Sequence, residues 1–288
     1  MREHSGRVHR GTYTLQGVII AKEWMMTEKA RIDTVLQGYQ VESKEGDIAF
    51  CGVNLIEAPD GRGGITRIVV DTGHFGRGVV LRAELAKRGL SASDVDVLLL
   101  THAHWDHVQG LQYFDNAVIM AHPKEMDYIS NPHGRDYATP AWTKAMLDQY
   151  DIRSAVEGTE LAPGVSVVEV PGHSPGTIAA AVQTAEGLAV IAGDSIQNAL
   201  VAQQRRNALV FWDEEQANRS VGRLVDMSDV IYPGHDQAFR ITQDNAIEYV
   251  VEFSFGLRRV TRDMPGLTFD LEPELVPKIY EAPAGWMG

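Results

Sequence analysis

The sequence contains a single cysteine, Cys51, in 288 residues. That excludes a disulfide framework within the chain and any zinc site built on cysteines, so a metal here has to be held by nitrogen and oxygen. Long apolar runs are missing too. The apolar run near the N-terminus, GVIIA, is too short for a signal-peptide core or a membrane span, and the expectation is a cytoplasmic protein without a membrane partner. Basic charge is scarce: 26 Lys and Arg face 39 Asp and Glu, a formal net charge of -13. Nucleic acid is excluded as a main partner, because phosphate binding needs a basic face. A strongly anionic substrate is disfavoured unless a local metal charge overrides the global field. No repeat, low-complexity stretch or Gly/Pro-rich linker divides the chain, which reads as one domain over 1–288.

What is present suits a soluble α/β protein. Hydrophobic residues make up 44% and charged residues 23%, and this length can bury a large core unaided. RIDTVLQGYQV, DIAFCGVNLIEA and ITRIVVDTG read as strands, with PDGRGG a turn. VVLRAELAKRG has helical spacing and a glycine where a C-cap belongs. DVDVLLLT is an apolar strand, and AVIMAH another. PKEMDYIS starts a helix on proline, while 131–150 reads as irregular and aromatic. GVSVVEV, TIAAAVQT, LAVIAGDS and DVIYP are further strands, and DEEQANRSVGRLVDM is a helix capped by Asp213. From Phe239 onward only a moderate helix signal remains.

The strand DVDVLLLT runs straight into THAHWDH. His102, His104, Asp106 and His107 therefore crowd the loop at a strand's carboxyl end, where α/β folds place chemistry. His102 and His104 are two apart and share a side of an extended segment, whereas Asp106 and His107 in a turn point elsewhere. One such loop can serve two metals, but four residues do not complete two coordination spheres. His173 in VPGHSPG, Asp194 in IAGDS and His235 in YPGHD each follow a strand and a glycine, and they are the candidates for the rest. A lone histidine is ordinarily structural, which is the reading for His4, His9, His122 and His133. Four polar residues after an apolar strand need partners. Cys51 reads as a small buried apolar residue. Asp71 and His74 follow another strand and fit a supporting role or a place at the site.

THAHWDH, PGHSPG, GDS and PGHD, in that order after VVDTG, resemble the metallo-β-lactamase-fold hydrolases over about residues 45–240. The layout is similar to the N-acyl-homoserine lactonase-like group. The resemblance implies a four-layer αβ/βα sandwich with metals at one edge of the sheets. It implies a first ion on His102, His104 and His173, a second on Asp106, His107 and His235, and Asp194 bridging both together with a hydroxide. Asp106 and Asp194 are the implied catalytic residues. Two divalent ions so held lower the pKa of a water and polarise the scissile bond. Zinc suits an N/O site of this kind, with iron or manganese as alternatives. The expected reaction is hydrolysis of a small-molecule lactone or carboxylic ester. A thioester, an activated aryl ether and a non-catalytic metal-binding subunit of a homo- or hetero-oligomer are the alternatives. Some lactonases of this layout carry a tyrosine three residues after the bridging aspartate; here that position is Gln197. Trp105, Tyr137, Trp142, Met146, Phe211 and Trp212 fit two roles equally: core packing, or an apolar wall over the metals.

Overall fold

The computed structural model describes residues 29–41, 48–207, 209–251 and 253–254. In chain order they form β1 (Arg31–Leu36), β2 (Tyr39–Val41), β3 (Ile48–Phe50), β4 (Val53–Pro59), β5 (Ile65–Val70), α1 (Gly78–Lys87), β6 (Val97–Leu99), α2 (Trp105–Val108), β7 (Val118–Ala121), α3 (Pro123–Tyr128), α4 (Trp142–Leu147) and β8 (Ile152–Ser154). There follow β9 (Glu160–Ala162), β10 (Val165–Glu169), β11 (Ile178–Thr184), β12 (Gly187–Gly193), α5 (Ala199–Gln204), α6 (Glu214–Met227), β13 (Val230–Pro233), β14 (Phe239–Ile241) and β15 (Ile247–Tyr249). One sheet has six strands in the order β1-β4-β5-β6-β7-β8, a second has seven in the order β15-β14-β13-β12-β11-β10-β9, and β2 pairs with β3 in a separate two-stranded ribbon.

Side chains alternate across each strand, and that alternation sorts the core into three layers. Ile56, Ile68, Val70 and Leu99 of the first sheet meet Val165, Val167, Ile178 and Ile191 of the second. On the outer face of the first sheet, Leu55, Val69 and Leu98 pack with Leu81 and Leu85 of α1. On the outer face of the second, Val168, Val190 and Ala192 pack with Val221 and Leu224 of α6. Each such fully buried branched side chain contributes roughly 1.5–3 kcal/mol. The order helix, sheet, sheet, helix is the αβ/βα sandwich expected. Asp213 caps α6 by accepting from the Gln216 N–H, and Ala217, Val221 and Leu224 give that helix one apolar stripe. Among the described residues no helix is long and apolar enough to cross a membrane.

Three local readings change. The run DIAFCGVNLIEA breaks at Cys51–Gly52 into β3 and β4, because the Gly52 N–H leaves the ladder to donate to the Gly234 carbonyl at 2.7 Å. Residues after Phe239 pair as strands, since Phe239 is fully buried against the sheet and pairs with Ile231. The stretch read as irregular contains α4, whose Thr143 and Leu147 are buried one turn apart. The GVIIA run and most of the C-terminal tail lie outside the described residues.

Candidate metal centre

Every loop that matters leaves the carboxyl end of a strand, at one edge where the two sheets meet. After β6 the chain bends at Thr101 and is extended at His104, which has φ -64° and ψ 147° and is the N-cap of α2. The rings of His102 and His104 lie 4.4 Å apart, on one side. A single helical turn then carries Asp106 and His107 round to another. The Thr101 carbonyl accepts from the Ile178 N–H of β11 at 2.9 Å, lacing this loop to the other sheet. His173 follows β10, Asp194 follows β12 and His235 follows β13.

The structure brings all seven expected residues together, each of them buried. Ligand-type atoms of His102, His104, His173 and Asp194 lie within 4.8 Å of one another, and so do those of His107, Asp194 and His235. Asp194 belongs to both groups. Its Oδ1 is 3.3 Å from His107 Nε2 and 3.2 Å from His235 Nε2, while its Oδ2 is 3.6 Å from His173 Nε2. Asp106 Oδ2 stands 3.6 Å from His107 Nε2 and 3.5 Å from His235 Nε2.

Two glycines make this approach possible. A Cβ on Gly234 would fall 2.2 Å from Asp194 Oδ1, and one on Gly193 would fall 2.6 Å from Thr101 Oγ1. Gly193 also has φ +50°, which favours glycine. Gly234→Ala is therefore expected to push the Asp194 carboxylate out of place. Metal titration of that variant should show weakened uptake in a folded protein; wild-type uptake would refute the steric argument.

His102, His107 and His173 are held from behind. Asp71, with φ 60°, accepts from the Thr101 N–H and hydroxyl at 2.8 Å each. Its Oδ2 also lies 2.8 Å from His107 Nδ1, and Thr101 Oγ1 lies 3.0 Å from His102 Nδ1. Since the Thr101 hydroxyl donates to Asp71, it accepts from His102, so both rings carry their proton at Nδ1 and turn Nε2 inward. His173 donates from Nδ1 to the Leu209 carbonyl at 2.6 Å. Glu125 was invisible in the sequence, inside an ordinary helix. It is buried, and it accepts from the Ala103 N–H at 2.9 Å, the Ser174 hydroxyl at 2.6 Å and the Gly176 N–H at 3.1 Å. It ties the loop of His102 and His104 to that of His173. His122 caps α3 and contacts Glu169, away from this cluster.

The cluster has the chemistry of a cation site. His102 Nε2, His107 Nε2, Asp106 Oδ2 and Asp194 Oδ1 are buried without any hydrogen-bond partner. Each such group costs about 1–3 kcal/mol unless something satisfies it, and bare imidazole nitrogens opposite carboxylate oxygens are what a divalent ion satisfies. Without an ion the groups titrate against one another. Burial and neighbouring imidazoles push His102 well below the usual value, and burial beside His104 brings His173 down to about 4. Burial opposes charge on His107 as well, yet Asp106, Asp71 and Asp194 hold it well above the usual range. Burial disfavours the Asp194 carboxylate, but His235 and His107 keep it ionised far below the ordinary carboxyl value. Protons then sit where cations belong, so metal uptake releases them. Cys51 is more than filler: its thiol donates to the Asp106 carbonyl at 3.0 Å, and Sγ lies within 4.8 Å of ligand-type atoms of Asp106 and His107. Burial raises its pKa, which leaves the imidazole and carboxylate groups as the donor set.

Aromatic rings flank the centre. Phe211 stands edge-on to His104 at 5.1 Å and to His173 at 5.5 Å, and Tyr137 packs on Phe211 at 5.5 Å. Trp105 lies 5.6 Å from His74, which packs on Phe50 at 4.8 Å. Trp142 is half exposed at the start of α4, Met146 packs against the outer core, and Trp212 stands against Tyr128 at 6.1 Å.

A family model described as the metallo-beta-lactamase superfamily matches residues 54–235. The chain belongs to this superfamily. Metallo-beta-lactamase domain-containing protein 1 of Xenopus laevis is 28% identical over 222 residues, covering 73% of this chain and 81% of that protein. An N-acyl homoserine lactonase of a Bacillus species is 24% identical over 226 residues, covering 73% and 85%. Among solved structures, a dizinc quorum-quenching lactonase in complex with a product matches with TM-score 0.55 at 18% identity, over 80% of this chain and 93% of that one. The superfamily is one of metal-dependent hydrolases that includes lactonases.

Proposed function

We propose that this protein is a dinuclear metal-dependent hydrolase acting on a lactone or carboxylic ester with an apolar or aromatic group. The observation that carries the reading is Asp194, whose two oxygens face the histidines of two separate clusters. His102, His104 and His173 would hold one ion and Asp106, His107 and His235 the other, with Asp194 placed between the two sets. Zinc fits this donor set. When bound, such a pair of ions supplies a nucleophile at neutral pH and polarises the scissile carbonyl. The chain's own groups do the rest. Asp106 turns one carboxylate oxygen toward the centre and is the group placed to orient the attacking water and take its proton. Phe211 and Tyr137 give the substrate an apolar wall, with Trp105 within the ligand loop itself. Gln197 is buried, its amide pointing at the Leu209 carbonyl 3.4 Å away. It supplies no phenol of the kind that lactonases of this layout turn on the substrate carbonyl.

Elemental analysis after reconstitution should give about two metal equivalents per chain, one for each donor cluster; at most one equivalent would sink the dinuclear reading. A panel of long-chain and short-chain lactones and aryl esters tests the substrate. Phe211→Ala and Trp105→Ala should raise KM for the large apolar members and leave a small activated ester largely unaffected, because a wall residue supplies uniform binding. Trp142→Ala should change little, since that ring is half exposed. An unchanged ranking of large over small substrates in folded, metal-loaded Phe211→Ala would remove the apolar-wall argument.

A further inference from the structure

Asp136 lies between α3 and α4, its side chain shut off from solvent. A buried carboxylate needs partners for both oxygens. Oδ1 accepts from the N–H groups of Ala138 and Thr139, 3.0 Å each. Oδ2 accepts from the Tyr128 hydroxyl at 2.9 Å and the Thr139 hydroxyl at 2.7 Å. Four donors from three residues leave the carboxylate a single orientation. In that orientation Oδ1 stands 3.3 Å from His104 Nε2. The other nitrogen of the same ring, Nδ1, lies 3.0 Å from His173 Nε2, inside the cluster. The Ala138 carbonyl accepts from the Trp105 N–H at 3.0 Å, so this turn of chain also docks on α2. The next side chain along, Tyr137, packs on Phe211.

We propose that Asp136 is a positioning residue for His104: it accepts from Nε2–H, which leaves Nδ1 as the nitrogen offered to the first ion, and in the same turn it sets Tyr137 against Phe211. This rests on the dinuclear reading above and goes beyond it. His102 is backed by a hydroxyl and His173 by a main-chain carbonyl, whereas His104 faces a carboxylate directly. A carboxylate behind a ligating imidazole fixes its tautomer and raises its basicity, and losing one typically costs about 10–100-fold in metal affinity. His104 is then the strongest donor of its trio, and its strength depends on a segment that also carries substrate wall.

The test uses the full chain with Asp136→Asn, which keeps the size and one acceptor oxygen but not the charge. Two readouts are needed: the proton on His104 Nε2, by nitrogen-15 NMR, and stepwise zinc binding. In the wild type Nε2 should carry a proton both in the metal-free protein, where Nδ1–H donates to the bare Nε2 of His173, and in the zinc-loaded protein, where Nδ1 is the ligand. In Asp136→Asn that Nε2 proton should be partly lost, and one zinc equivalent should weaken about 10–100-fold while the other is unchanged. Tyr128→Phe removes one of the four donors without adding a polar group, and should shift both readouts the same way by less. It carries the test if Asp136→Asn does not fold. A wild-type Nε2 proton and wild-type affinities in these variants overturn the proposal, and so does equal weakening of both equivalents, which would mark a general structural role. If the wild type takes up no zinc, the dinuclear reading fails, and the Nε2 proton of the metal-free protein still judges Asp136.

Discussion

Asp194→Ala is expected to remove turnover and loosen both ions together. Asp194 offers one oxygen to His107 and His235 and the other to His173, so its loss takes a donor from each cluster and a negative charge from between them. The histidines left behind are buried, and of the three that Asp194 touches, His173 and His235 face no carboxylate but those of this centre. Several kcal/mol of charge stabilisation at about 1.4 kcal/mol per tenfold put the loss of turnover near three orders of magnitude. Metal titration and turnover measured on one sample decide it. His122→Ala is the control. That ring accepts from the Lys124 N–H at 3.1 Å and meets Glu169 at the surface of α3. Losing such a cap costs about 1 kcal/mol of stability, and metal content should stay at the wild-type level. Equal damage from the two changes would count against the proposed ligands.

The contrast between these two residues also marks what a sequence can reveal. His102, His104, Asp106 and His107 were legible because polar residues directly after an apolar strand demand partners. His173, Asp194 and His235 were legible because each repeats strand, glycine, ligand. The groups that orient them were not. Glu125 sits in PKEMDY with nothing to set it apart from a solvated helical carboxylate, and only the fold brings Ala103, Ser174 and Gly176 to it. Asp136 is one acidic residue in an irregular stretch, 32 positions from the histidine it faces. The split at Cys51–Gly52 depends on the Gly234 carbonyl, far along the chain. The αβ/βα order was legible only through the resemblance carried by THAHWDH, PGHSPG, GDS and PGHD; the strand patterns by themselves showed short apolar runs and helices in one α/β domain. The strands β14 and β15 were missed because Phe239 is buried by neighbours that no local pattern announces.

Asp71 permits the sharpest separation of the two proposed ions. Its Oδ2 accepts from His107 Nδ1 directly, and from the Thr101 hydroxyl, which in turn accepts from His102 Nδ1. A single carboxylate thus fixes the tautomer of one histidine in each cluster. Asp71→Asn is well suited as a probe, because asparagine tolerates the left-handed backbone at φ 60°. The variant can keep the fold while losing the charge and one acceptor. Zinc affinity should fall about 10–100-fold at both equivalents, in contrast to the single-site loss expected for Asp136→Asn. Thr101→Val cuts only the branch to His102. It should weaken one equivalent and leave the other intact, while Asp71 still holds His107. If Asp71→Asn weakens only one ion, or Thr101→Val weakens both, the two branches do not act through separate clusters, and the division of the seven ligands into His102, His104 and His173 against Asp106, His107 and His235 has to be redrawn.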